Sequence, residues 1–185
     1  FKEFAGVDAV PLCVDTQDVE EMVQTIALIS KSFGGINLED IRSPECFDIE
    51  AELERDLDIP VFHDDQHGTA VITLAGLTNA LKVVGKQMDQ VRVVINGAGS
   101  AGVAIARHLL NLGVQDLILV DRFGILCEGM PGLNEAHAAM SRLTNPRRLT
   151  GTLADAMRGA DVFIGVSAPG VVTREMVASM NAGAC

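Results

Sequence analysis

Short apolar runs alternate with amphipathic stretches along the chain. Ala9-Val10-Pro11-Leu12-Cys13-Val14 reads as a strand, Val19 to Ile29 as a helix with Met22, Ile26 and Ile29 on one face, and Phe33 to Leu38 as a second strand. Ser43-Pro44-Glu45 predicts a helix through about Asp56, because Ser caps helix N-termini and Pro fits the first helical position. Ile59 to Phe62 follows as a short strand. The stretch Gln66 to Val84 is apolar on most sides, with Val71, Ile72, Leu74, Leu77 and Leu81 among its residues, and so predicts a helix inside the protein, closed by Gly85.

The second half is more regular. Val91 to Ile95 and Leu117 to Val120 are continuous β-branched runs of the kind that fill parallel strands covered on both faces, and Ser100 to Leu112, ended by Gly113, is the helix between them. A loop over Gly124 to Asn134 leads to helices near Glu135 to Arg142 and Leu153 to Arg158, and then to a strand over Val162 to Val166. This βαβ rhythm predicts an α/β fold, a Rossmann-like doubly wound parallel sheet. The best boundary lies within Val83 to Gln90, dividing the chain into residues 1–84 and 85–185.

Composition narrows the function. With 185 residues, 48% of them hydrophobic, the chain can bury roughly 70% of its unfolded surface, and disorder is excluded. Lys and Arg number 14 against 25 Asp and Glu, so the net charge of -11 repels phosphate backbones and anionic lipid and leaves cations as the expected charged partners. No nucleic-acid or membrane role is expected, since no apolar run reaches the roughly 18 residues of a membrane span. The four cysteines are too scattered for a zinc site or a disulfide framework and suggest a reducing, cytoplasmic setting. Phe1 has the look of a cut end, and the chain reads as a fragment.

Two kinds of chemistry are written into strand ends. Gly97, Gly99 and Gly102 form a GxGxxG pattern directly after one strand and before a helix. There Gly97 permits the turn, Gly99 admits a pyrophosphate close to the backbone, and Gly102 lets helix and strand pack. Asp121 ends the next strand, where a carboxylate accepts from an adenosine ribose, which favours NAD; the neighbouring Arg122 could instead pair with the extra phosphate of NADP. A glycine-rich turn of some other βαβ unit is the bland alternative.

The pairs Glu39-Asp40 and Asp64-Asp65 also follow strands, and adjacent carboxylates repel unless a cation lies between them. Oxygen donors of this kind suit Mg²⁺ or Mn²⁺ rather than zinc. The bland alternatives are a helix cap for Asp64-Asp65 and a solvated turn for Glu39-Asp40. His63 and His67, which flank the second pair, read as hydrogen-bonded structural residues.

Gly34-Gly35-Ile36-Asn37-Leu38-Glu39-Asp40-Ile41, Pro44-Glu45-Cys46-Phe47-Asp48-Ile49-Glu50 and the run from Ile59 through Phe62-His63-Asp64-Asp65-Gln66-His67-Gly68-Thr69-Ala70 resemble the malic enzymes of bacterial type. Phe4 to Ala9 upstream and Gly165 to Gly170 downstream resemble them too, so the likeness spans the chain. It implies that residues 1–84 are part of the family's α/β N-terminal catalytic and metal-binding domain and 85–185 its NAD(P)-binding domain. It further implies a divalent cation on Glu39, Asp40 and Asp65, with Asp64 as a catalytic carboxylate behind them. The dinucleotide is then expected on Gly97, Ala98, Gly99, Ser100, Ala101, Gly102, Asp121, Arg122 and Ser167.

The activity implied is oxidative decarboxylation of L-malate to pyruvate and CO₂ with NAD or NADP, by a homo-oligomer. Two departures qualify this. The family's general-acid Tyr has no counterpart, because the chain contains no tyrosine, and its general-base Lys is expected just before Phe1, with Lys2 a poor substitute. The chain as given is therefore expected to bind without turning over. A metal-independent NAD-dependent dehydrogenase and a non-catalytic dinucleotide-binding module are the alternatives, the first distinguished by Glu39, Asp40 and Asp65.

Overall fold

In the computed structural model, which describes residues 1–185, each half of the chain builds its own parallel sheet. After a one-turn helix α1 (Lys2–Ala5), helix α2 (Val19–Ile29) opens on Asp18, whose carboxylate accepts the Glu21 N–H at 2.9 Å. Strand β1 (Ile36–Leu38), helix α3 (Glu45–Asp56) and strand β2 (Val61–His63) then form a βαβ crossover. The two strands pair in parallel, with Leu38 opposite His63. Six buried residues, Val23, Ile26, Leu38, Ile49, Leu53 and Val61, seal α2 and α3 onto them.

Three expectations change here. Ala9 to Val14 forms no strand and is exposed apart from partly covered Val14: it pairs with neither β1 nor β2, so its backbone polar groups are left to water. Ser43 does not cap α3: Pro44 takes that place and supplies no side-chain bond. The long apolar helix is split and only partly interior. Asp64–Gly68 is a π-helical turn, and α4 proper runs over Thr69–Val84 to Gly85 in the left-handed region.

On α4 only Ala70, Leu77 and Leu81 are buried, at the seven- and four-residue steps that share one helix face. That face packs on the next helix, whereas Val71, Ile72 and Val83 on the others are 60%, 75% and 86% exposed, since nothing in these residues covers them.

The second sheet follows the sequence pattern closely. Strands β3 (Arg92–Asn96), β4 (Asp116–Asp121) and β6 (Val162–Gly165) run parallel, with β3 central. The two-residue β5 (Gly124–Ile125) adds an antiparallel edge inside the expected loop, giving the order β5-β4-β3-β6. Alternate residues of β3 enter opposite layers. Val93 and Ile95 join an 18-residue core with α4, α5 (Ser100–Asn111) and α6 (Glu135–Leu143), while Val94 meets Ala156 and Met157 of α7 (Leu153–Met157) on the other face. Met176 of α8 (Arg174–Ala178) lies against that second layer. The sheet is doubly wound, as its sequence predicts.

At the sheet end away from the glycine loop, Asp161 ties three segments together. Its carboxylate accepts from Lys86 Nζ at 2.8 Å, the Arg92 N–H at 2.9 Å and Asn181 Nδ2 at 3.0 Å. Burial pushes this carboxyl up, but the Arg92 N–H, Lys86 and Asn181 together outweigh it and hold the group below its ordinary range.

Candidate functional site

The glycine loop lies where the strand order reverses, between β3 and β6, the position at which open α/β sheets bind ligands. Gly97 has φ of 115°, a backbone region that side chains disfavour, and a Cβ there would stand 2.6 Å from the Val166 carbonyl oxygen. A Cβ on Gly102 would run into the Gly97 carbonyl oxygen, so the first turn of α5 must be bare to pack. Gly99 differs: nothing lies within 4 Å of its Cβ position, and it is exposed. Two glycines are thus demanded by packing, and the third faces open space at a helix N-terminus.

The other expected dinucleotide residues gather around this loop. Ser100 and Ala101 begin α5, and Asn96 donates through Nδ2 to Ser167 Oγ at 2.8 Å, joining the loops after β3 and β6. Asp121 ends β4, and its Oδ1 accepts the Arg122 N–H at 2.7 Å. The Arg122 guanidinium rests 4.7 Å from the centre of the Phe123 ring. The sequence reading missed His137, on α6. Its Nε2 lies 2.7 Å from the Ala98 carbonyl oxygen and its Nδ1 4.0 Å from Asp121 Oδ2. Asn134 caps the His137 N–H at the start of α6, but nothing in the sequence ties that helix to the loop.

The acidic pairs come to one end of the small sheet, where the β1–β2 register places both just past paired residues. Asp40, at φ of 56°, donates its N–H to Asp65 Oδ2 at 3.2 Å. Glu39, however, accepts from Asn37 Nδ2 at 2.8 Å, and no group of three or more His, Cys, Asp or Glu side chains lies close enough together to hold a metal ion. An all-oxygen donor set beside a strand end suits a hard divalent cation in its chemistry and position, though Glu39 is turned away onto its neighbour. Neither Asp64 nor Asp65 caps a helix through its side chain, so the capping alternative fails. Asp64 instead folds over Gly68, where a Cβ would strike its carboxylate.

Behind the acidic turn, the buried Glu50 of α3 uses both oxygens, with Gln66 Nε2 at 2.9 Å and His67 Nε2 at 2.8 Å. His67 thus has the partner its sequence reading expects. His63 does not: it is fully buried, neither ring nitrogen is bonded, and the nearest carboxylate oxygen, on Asp65, is 3.8 Å away. Burial, aided by the charge of Glu50, pushes the Cys46 thiol up to about 11, so this cysteine is packing material rather than a nucleophile at neutral pH.

A parallel sheet with a glycine loop at its switch point and a carboxylate at the end of the neighbouring strand defines a Rossmann-type dinucleotide-binding protein. The comparisons narrow the class. The family described as Malic enzyme, NAD binding domain matches residues 66–184, and the chain belongs to the malic enzyme family. It is similar to the NAD-dependent malic enzyme of Geobacillus stearothermophilus, at 54% identity over 97% of this chain and 38% of that one. The NADP-dependent malic enzyme of Halomonas elongata is 45% identical over 97% of this chain and 42% of its own. The crystal structure of the NAD-dependent malic enzyme of Thermotoga maritima superposes with a TM-score of 0.94 at 48% identity, over 97% of this chain and 48% of that one. The chain therefore spans less than half the length of these relatives.

Proposed function

We propose that this protein serves the oxidative decarboxylation of L-malate to pyruvate and CO₂ with reduction of a nicotinamide dinucleotide, residues 85–185 binding the dinucleotide and residues 1–84 carrying a divalent cation, Mg²⁺ or Mn²⁺. The observation that carries the proposal is the pairing of a dinucleotide loop with two acidic pairs at a second sheet end, in a chain 54% identical to a named malic enzyme. Glu39, Asp40 and Asp65 would hold the cation, which supplies Lewis acidity toward the substrate's hydroxyl and keto oxygens when bound. Asp64, beside them and unused as a cap, is the carboxylate available for hydrogen bonding near the substrate. The dinucleotide meets Gly97 to Gly102, Asp121, Arg122 and Ser167.

Relatives named for NAD and for NADP both exist. NAD is favoured here because Asp121 is fixed at a strand end by its bond to the Arg122 N–H, while the Arg122 side chain is engaged with Phe123. The absence of tyrosine supports a further part of the proposal, that these residues bind ligands and leave proton transfer to groups outside them. Four unpaired cysteines support a cytoplasmic setting, and the bare apolar residues Val71, Ile72 and Val83 support a homo-oligomer. No helix is long and apolar enough to cross a membrane.

Replacing Asp65 by Ala in the complete enzyme tests the reading. Loss of Mn²⁺-dependent malate oxidation together with weakened Mn²⁺ binding is expected, since one charged ligand is removed from a small oxygen set. Wild-type metal affinity and rate in that variant would refute the assignment of Asp65.

A further inference from the structure

We infer that His137 is a positioning residue for the dinucleotide: by donating to the Ala98 carbonyl it fixes the Ala98–Gly99 peptide so that the Gly99 N–H faces the pyrophosphate. The inference rests on the dinucleotide-binding reading above and concerns a residue outside the glycine pattern.

One bond sets the orientation of the loop peptide. A carbonyl oxygen can only accept, so at 2.7 Å from it the His137 Nε2 carries the proton and donates. A trans peptide is planar, with its C=O and N–H pointing in opposite directions. Holding the Ala98 carbonyl inward, against a side chain packed behind the loop, therefore turns the Gly99 N–H outward. That N–H makes no hydrogen bond within the chain, and the space around the Gly99 Cβ position is open. If the peptide flipped, a carbonyl oxygen would point at the site instead and repel the phosphate oxygens. Flipping is otherwise cheap beside glycine, which tolerates both backbone senses.

His137 is itself held in place. Its own N–H is bonded to Asn134 Oδ1 at 2.8 Å at the start of α6, and only 14% of its side chain is exposed. Its Nδ1 lies 4.0 Å from Asp121 Oδ2, so one imidazole adjoins both the pyrophosphate loop and the carboxylate expected at the ribose.

NADH binding, followed by the fluorescence of the reduced nicotinamide, tests this in the wild type, His137→Phe and His137→Gln. Phe fills the space without a donor, whereas the Gln amide can still donate to Ala98. The expected result is about tenfold weaker binding for H137F and recovery to within about threefold of wild type for H137Q. Equal binding by H137F, or H137Q as weak as H137F while melting at the same temperature, would overturn the inference. A second measurement needs no variant: the ¹⁵N shifts of the His137 ring should report a proton on Nε2 with and without NADH, and a ring protonated only on Nδ1 would overturn it. Failure of the wild type to bind NADH would instead remove the cofactor reading on which the inference stands.

Discussion

The glycine loop and the acidic turns occupy equivalent places, each at the end of a parallel sheet, yet they differ in readiness. The loop is built from backbone, and its shape is set by two close contacts, Gly97 against Val166 and Gly102 against Gly97, above a core of 18 buried residues. The acidic site is built from side chains projecting from a two-stranded sheet with a core of six, and Glu39 is bonded to Asn37 rather than turned to Asp40 and Asp65. Backbone sites are formed when the fold is formed. Carboxylate sites repel themselves until a cation or further protein gathers them.

Breaking the rigid side should have the largest effect. Gly102→Val places a branched side chain where even a Cβ strikes the Gly97 carbonyl, and a loss of about 3 kcal/mol or more of unfolding free energy is expected in urea titration, together with loss of NADH binding. On the acidic side, Glu50→Ala strips Gln66 and His67 of their buried acceptor. It should cost about 1–3 kcal/mol, read from the same titration, and loosen the turn that carries Asp64 and Asp65.

Asp121→Ala leaves the loop itself untouched. The ratio of NADP to NAD affinity should rise about tenfold, because a carboxylate beside a 2′-phosphate is removed; competition with the two reduced cofactors measures it. An unchanged ratio would show that Asp121 does not select the cofactor.

The smallest effect is a structural one at the far sheet end. The Asp161 carboxyl lies below its ordinary value of 3.8 in the folded protein, so its contribution is complete above that value and is lost as pH falls through the folded one. Asp161→Asn should lower Tm at pH 7 by a few degrees, and the gap between variant and wild type should begin to narrow only as pH falls below about 4.

How far each region could be read from the sequence follows from the same contrast. Strands β3, β4 and β6 fall within a residue or so of their apolar runs, because burial on both faces leaves no other use for Val93-Val94-Ile95 or Leu117-Ile118-Leu119. The first half was less legible. An apolar run such as Ala9 to Val14 becomes a strand only if another strand pairs with it, and apolar residues on the uncovered faces of α4 read the same in sequence as buried ones. In the site, the glycines declared themselves by spacing. His137 and Glu50 did not, since each reaches its partner across the fold and neither carries a pattern of its own.

NADH affinity measured in EDTA and again with saturating Mn²⁺ tests most directly whether the dinucleotide site is complete without the metal. Saturable binding in EDTA, displaced by NAD, is expected, with a dissociation constant that Mn²⁺ changes by less than about threefold. Binding that appears only with Mn²⁺, or none in either condition from a folded protein, would contradict it.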